Sequence, residues 1–542
     1  MAIVKKNNFA LFVFISYIII LLGRIPVYHM IGKDGMAYFS LAQEIFLLVG
    51  GVLFYSMKEG IASLIRYRVR REQFKDVRRL FLQSLFLALI LGMILTVLLE
   101  AGCQYVLQNV LQLPLAVMTV RIALLGIPFL ALAGVLQGYF QGFHMRAPGV
   151  HADFIFTAVF LVAGLISAEG FMLYGQKVSD LLHNGRFQYV YGAIGVSTGL
   201  VAASLLSLLY LLILYFVFRR SLEKDGSRER EYLKNGESSF SRIRLILGSG
   251  GFHALFYLTF ALSSFGSVFI FFLLHKGDSA AASAFGMYYA GCNAFLKAMI
   301  LIILMVFYSS VRRVGYYQER EEFRMAREKL GMLLHRMLVV LLPFAILSVV
   351  LSENLSILLL GDTGAEASGA MQAGSIGILF GTLGYVFILL LMRLKQSMLA
   401  AVSAGAAMVL QMVLLVIMTS AGVGGALAPA LAPALSQMFF YLLLTAAGFV
   451  LVSRVMQYRQ DWIRGAAIPT VLAAVMGVVT MLINRFLTPA AGRVAGTIVC
   501  VVVGILVYVI LLLAARNMRE EELNSSLFGR LLLKVGRLIH FY

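Results

Sequence analysis

Apolar residues in this chain fall in long blocks separated by short clusters of charge. A helix needs about 20 predominantly apolar residues to cross the hydrocarbon core of a bilayer. Fourteen segments meet that length: 9–31, 38–65, 81–105, 119–142, 150–172, 190–218, 245–274, 281–311, 331–358, 370–392, 397–420, 426–452, 465–484 and 494–515. The pattern predicts an all-α, polytopic membrane protein with about 14 transmembrane helices.

Lysine and arginine test that count. With the N-terminus inside and the sides alternating, 35 of the 45 basic residues fall in inside segments, 6 in outside loops and 4 within spans. A missed or extra helix would scramble this asymmetry downstream. Its persistence predicts that both termini are cytoplasmic. Lys5 and Lys6 precede a first span too long for a cleaved signal, so that span is expected to be retained.

Composition agrees. The chain is 61% hydrophobic and 13% charged, where soluble domains run about 45–50% and about 25%. A net charge of +19 would suit nucleic acid on a folded basic surface. Here the charge lies between spans, so no nucleic-acid partner is expected. The three cysteines, Cys103, Cys292 and Cys500, have no metal-ligand spacing.

The longest polar connection, 219–244, contains EKDGSREREYLKNGESS and reads as a cytoplasmic linker. It suggests a lobe at 1–218 (spans one to six) and a second at 245–452 (spans seven to twelve). Two further spans follow at 453–516, and an amphipathic tail helix at 517–542 presents a basic face to anionic inner-leaflet headgroups. Weak repetition supports two lobes. Gly35-Met36-Ala37-Tyr38 and Gly286-Met287-Tyr288-Tyr289 each lead to a basic inside loop, RYRVRREQFKDVRR or RRVGYYQEREEFRMAREK. Equal orientation makes this a parallel repeat.

Charges at membrane depth are the candidate chemistry, because each costs a few kcal/mol there. Arg24 sits in the first span beside Pro26, which is expected to bend the helix. Tyr17, Arg24 and Tyr28 share a face; Arg24 either snorkels outward or faces a polar interior. Lys297 lies near the middle of span eight, with Tyr289, Asn293 and Lys297 spaced four apart. It either lines a cavity or pairs within its lobe. Glu44 and Lys58 fall on one side of span two, where Glu59 also offers Lys58 a partner. No G-x-S-x-G, Walker A, H-E-x-x-H or Cys/His metal pattern is present, so neither an enzyme nor a metal or other cofactor is expected. Basic groups in a partly dry cavity suit phosphate, and tyrosines suit sugar faces.

The runs GRIPVYHMIGKDGMAYFSLAQEIF, KEGIASLIRYRVRREQFKDVRR and IPFLALAGVLQGYFQGFHMRAPGV resemble the polysaccharide-biosynthesis and stage V sporulation protein B-like exporters. These belong to the multidrug/oligosaccharidyl-lipid/polysaccharide (MOP) flippase superfamily, which includes lipid II flippases. The resemblance is strongest over residues 20–150. It implies two six-helix lobes around a central cavity that opens alternately to each side, plus two C-terminal helices offering a groove to a lipid tail. It also implies a monomer that moves an undecaprenyl-pyrophosphate-linked oligosaccharide to the outer leaflet of the bacterial cytoplasmic membrane. Arg24 matches a pyrophosphate-holding arginine of the lipid II flippases, and Lys297 and Lys58 join it as expected ligands. Two departures count. The second lobe reads LLLMRLKQSM where the first has its Gln-Gly turn, and spans seven, ten and eleven lack the acids of a sodium site. A cation-coupled multidrug exporter of the same fold is the rival, and an enzyme acting on lipid-linked sugars is a second.

Overall fold

The computed structural model describes residues 7–223, 239–361, 364–423, 425 and 428–515. The tail helix expected at 517–542 and linker residues 224–238 lie outside the described residues. The described chain is helical throughout: α1 (Asn7–Phe46), α2 (Val52–Val69), α3 (Phe74–Tyr105), α4 (Val117–Leu124), α5 (Ile127–Gly142), α6 (Ala147–Leu182), α7 (Arg186–Glu223), α8 (Ser239–Leu274), α9 (Ser279–Tyr288), α10 (Ala294–Glu319), α11 (Phe323–Val350), α12 (Ser352–Leu360), α13 (Ala365–Ser375), α14 (Gly377–Arg393), α15 (Ser397–Ser420), α16 (Ala428–Met456), α17 (Ile468–Ala491) and α18 (Arg493–Ala514).

Among the described residues, 13 helical segments are long and apolar enough to span a membrane. They correspond to the predicted fourteen, with the first two run together as Leu11–Val69. The chain is a multi-pass membrane protein. Within α1 the helix departs from helical dihedrals at Gly32 (φ 64°, ψ −176°), while Pro26 stays inside the helix. The break at Gly32 falls in the gap expected between the first two spans, 9–31 and 38–65. That backbone region is open essentially to glycine alone, so it is glycine that separates the first two spans.

Contacts cluster into two units, Met1–Ala290 with Met412–Ala421, and Gly291–Gln411 with Gly422–Tyr542. In the first, α6 lies along α7, α1 packs on both, and α2 is held between α5 and α8. The contact of α2 with α5 explains the glycines of GVLQGYFQG. A Cβ on Gly134 would come within 2.6 Å of the Phe54 carbonyl oxygen, and one on Gly138 within 2.7 Å of that of Lys58. Four-residue spacing puts these glycines on one face, letting the backbones approach as small residues do between membrane helices.

In the second unit, α14 packs on α10 and α16, and α11 on α10 and α17. The two C-terminal helices join the unit through α11: Val339, Leu342, Leu347, Ala473, Met476, Tyr508 and Leu512 form one buried cluster.

The repeat sensed in the sequence recurs as local geometry. Each unit has a broken span, α4–α5 in the first and α13–α14 in the second. Each also has the same elbow after a basic helix end. Glu72 (φ 58°) and Glu321 (φ 63°) are left-handed. Gln73 N–H donates to the Arg68 carbonyl at 3.1 Å, and Glu322 N–H to that of Tyr317 at 3.0 Å. An arginine one turn on stacks over a tyrosine in both, Arg71 on Tyr67 (4.2 Å) and Arg320 on Tyr316 (4.3 Å).

Candidate functional site

Arg24 of α1 is half-buried, and its partners lie beyond the Gly32 break in α1 and at the distant Tyr289. Its Nη2 donates to Gln43 Oε1 at 2.5 Å, and its Nη1 lies 3.8 Å from Met36 Sδ. The guanidinium carbon stands 5.7 Å from the Phe39 ring centre and 5.3 Å from that of Tyr289. The Tyr289 hydroxyl donates to Glu44 Oε1 at 2.8 Å and lies 3.2 Å from Gln43 Oε1. Glu44 and Tyr289 are each only 2% exposed.

Local structure sets this up. Gln43 and Glu44 end α1 just before a wide π-type turn, Leu47–Gly51, and Tyr289 opens another, Tyr289–Asn293. Such turns insert a residue into the helix and collect at functional sites. Nearby, Ser283 hydrogen-bonds Asp34, tying α9 to the segment after Gly32.

The chemistry follows from who holds whom. A guanidinium has five N–H donors, and an amide oxygen, a thioether and a phenol do not use them all. The formal negative charge nearby, Glu44, is buried and engaged by Tyr289. The half-exposed cation is thus held in place by largely neutral groups and aromatic faces, an arrangement suited to an anion with several acceptor oxygens.

Of the sequence candidates, Arg24, Glu44 and Tyr289 come together here. Tyr28 is buried beside His29. Tyr17 belongs elsewhere in the unit, within electrostatic range of Asp153. Lys58 lies further along α2, its Nζ 5.2 Å from the Phe54 ring and 5.9 Å from that of Tyr55. Asn293 is buried and Lys297 half-buried, both in the second unit, and Lys297 is not without a partner. The π turn at Tyr289–Asn293 interrupts the simple four-residue spacing assumed for Tyr289, Asn293 and Lys297.

Amides are what charge and spacing did not single out. Gln43 links Arg24 to Tyr289. The two glutamines of LQGYFQG each serve a carboxylate: Gln137 donates to Asp153 at 2.7 Å, and Gln141 to Glu59 at 3.3 Å. Their proximity to the glycine stripe was the available signal. Among the described residues, no group of three His, Cys, Asp or Glu is placed to hold a metal ion.

Comparison with known proteins gives matches to part and to most of the chain. Residues 8–164 match MatE. Over 533 residues the chain is 25% identical to the uncharacterized membrane protein YabM of Bacillus subtilis (strain 168), covering 95% of this chain and 92% of YabM. Stage V sporulation protein B of the same organism is 22% identical over 221 residues, 41% of this chain and 40% of that protein. The lipid II flippase MurJ in an inward closed conformation superposes with a TM-score of 0.64 at 14% identity, covering 93% of this chain and 98% of MurJ. An inward-facing multidrug resistance MATE family transporter of the MOP superfamily gives the same TM-score at 13% identity, covering 84% of this chain and 99% of that one. The chain thus shares the fold of these two solved structures.

Proposed function

We propose that this chain is a flippase or exporter of lipid-linked oligosaccharides, moving them from the inner to the outer leaflet of a bacterial cytoplasmic membrane by alternating access. The observation that carries the reading is Arg24: a half-buried guanidinium at membrane depth, oriented by Gln43 and two rings, with Glu44 engaged by Tyr289. A pyrophosphate offers the acceptor oxygens such a group takes up, and its charge offsets the cost of keeping an arginine there. Support also comes from length. The fold likeness to MurJ extends over 93% of the chain against 84% for the MATE transporter. Both termini are cytoplasmic in this reading, and the active form is a monomer without a cofactor. Lys58 and Lys297 are further candidate phosphate ligands, each to be judged by its own variant.

The test is headgroup accessibility in vesicles holding a fluorescent undecaprenyl-pyrophosphate-linked sugar and the purified chain. Wild-type protein exposes the inner-leaflet headgroups, whereas Arg24→Ala and Lys297→Ala slow the exchange. Normal exchange by both variants defeats the reading.

A multidrug exporter is the second reading. It is favoured by the equal TM-score of the MATE transporter and by Glu44, a buried acid suited to a cation or proton. Efflux of an organic cation that survives Arg24→Ala and fails in Glu44→Gln would establish it.

A further inference from the structure

The end of α2 carries a cavity apart from the Arg24 group. It is a surface hollow of about 340 Å³ lined by Ser63, Arg66, Tyr67, Arg70 and Arg71. That volume falls within the range of small-ligand sites, about 300–1,000 Å³. Three of its five lining residues are arginines, and none is acidic. Arg66 Nε is buried with no hydrogen-bond partner, a donor set aside in a place where leaving one unmet is costly. Ser63 is fixed at the rim by a 2.7 Å hydrogen bond to Ser249 and donates to the Gly60 carbonyl at 2.8 Å.

The second unit supplies an internal comparison. Its elbow keeps the tyrosine–arginine stack as Tyr316 and Arg320, so that stack belongs to the shape of the turn. Aligned on the left-handed glutamates Glu72 and Glu321, Arg66 and Arg70 correspond to Gly315 and Glu319. The two arginines therefore have no basic counterpart at the second unit's elbow.

We infer that this cavity binds the phosphoryl group of an anionic membrane lipid, with Arg66 and Arg70 as its ligands and Tyr67 as an apolar wall held by Arg71. The basic asymmetry of the loops places this end of α2 at the cytoplasmic face, where anionic headgroups lie. Arginine suits the task, since its planar fork takes two phosphate oxygens at once. The inference stands whatever the chain transports.

Native mass spectrometry of the full chain tests it, using nanodiscs of phosphatidylcholine doped with phosphatidylglycerol. Wild type retains phosphatidylglycerol selectively. The double variant Arg66→Gln/Arg70→Gln reduces that retention about tenfold, equivalent to about 1.4 kcal/mol. A second double variant, Arg312→Gln/Arg313→Gln, removes the same charge at exposed positions of the other unit and leaves retention unchanged. Arg70→Gln alone, at an exposed position, serves if the first pair folds poorly. Added inorganic phosphate distinguishes the sources. Failure of millimolar phosphate to displace the lipid supports a headgroup site, and full displacement overturns the lipid assignment in favour of the free ion. Equal loss in the two double variants, or none in either, overturns the site.

Discussion

Tyr289 donates a 2.8 Å hydrogen bond to Glu44, joining residues 245 positions apart in a place where both are buried. An ionised carboxylate in such surroundings depends on its donors, because water is not there to replace them. Tyr289→Phe keeps the ring and deletes the donor, so it lowers stability by about 1–3 kcal/mol. Glu44→Gln in the same background recovers part of that loss. Thermal unfolding of the four proteins of the cycle measures the coupling, and additive losses would show the two side chains to be independent.

Arg24 separates charge from geometry. Arg24→Lys keeps a cation but cannot span Gln43 and a ligand with one planar fork. Loss of one charge-assisted hydrogen bond is worth about 1.5–3 kcal/mol, so headgroup exchange falls about ten- to a hundredfold. The thermal midpoint changes little in comparison, since Arg24 is only half-buried. Exchange at the wild-type rate in Arg24→Lys would mean that positive charge alone suffices.

The glycine stripe of α5 predicts an asymmetric result. Gly134→Leu forces a side chain onto the backbone of Phe54, 2.6 Å from its carbonyl oxygen, and destabilises by about 3 kcal/mol or more. Gly170→Ala, in α6 with open space around it, gains about 0.5–1 kcal/mol from helix propensity. Midpoints measured in one detergent check both signs.

In the second unit, Asn354 of α12 donates to Asn484 of α17 at 2.7 Å. Hydrogen bonds between membrane helices average about 0.6 kcal/mol and reach about 1.7 kcal/mol. Asn484→Ala lowers stability within that range, and Asn354→Ala adds little more once Asn484 is gone. A full second loss in the double variant would contradict the pairing.

The span pattern was legible because an apolar run of hydrocarbon length is rarely tolerated in a water-soluble domain. The basic loops were legible, but their elbows were not singled out, although RYRVRREQF and VGYYQEREEF share one tyrosine–arginine spacing. The first break was legible as the gap between the apolar runs 9–31 and 38–65, and Gly32 falls in it. Gly32 lies in an ordinary-looking IGKDG, and its dihedral angles have no signature beyond the glycine itself. Arg24, Glu44 and Tyr289 stood out by charge or by spacing. Gln43 did not, because a neutral amide acquires its role from partners brought in by distant segments.

The glycine stripe also constrains how this protein can change shape. Where α2 and α5 meet at Gly134 and Gly138 there is no room for a methyl group, so neither helix can roll or slide against the other without parting. Lys58, Glu59, Gln137 and Gln141 ride on that pair as cargo of one rigid beam. Rearrangement of the first unit must then be taken up at its joints, and Gly32, free of side-chain resistance, is the hinge nearest to Arg24 in the chain.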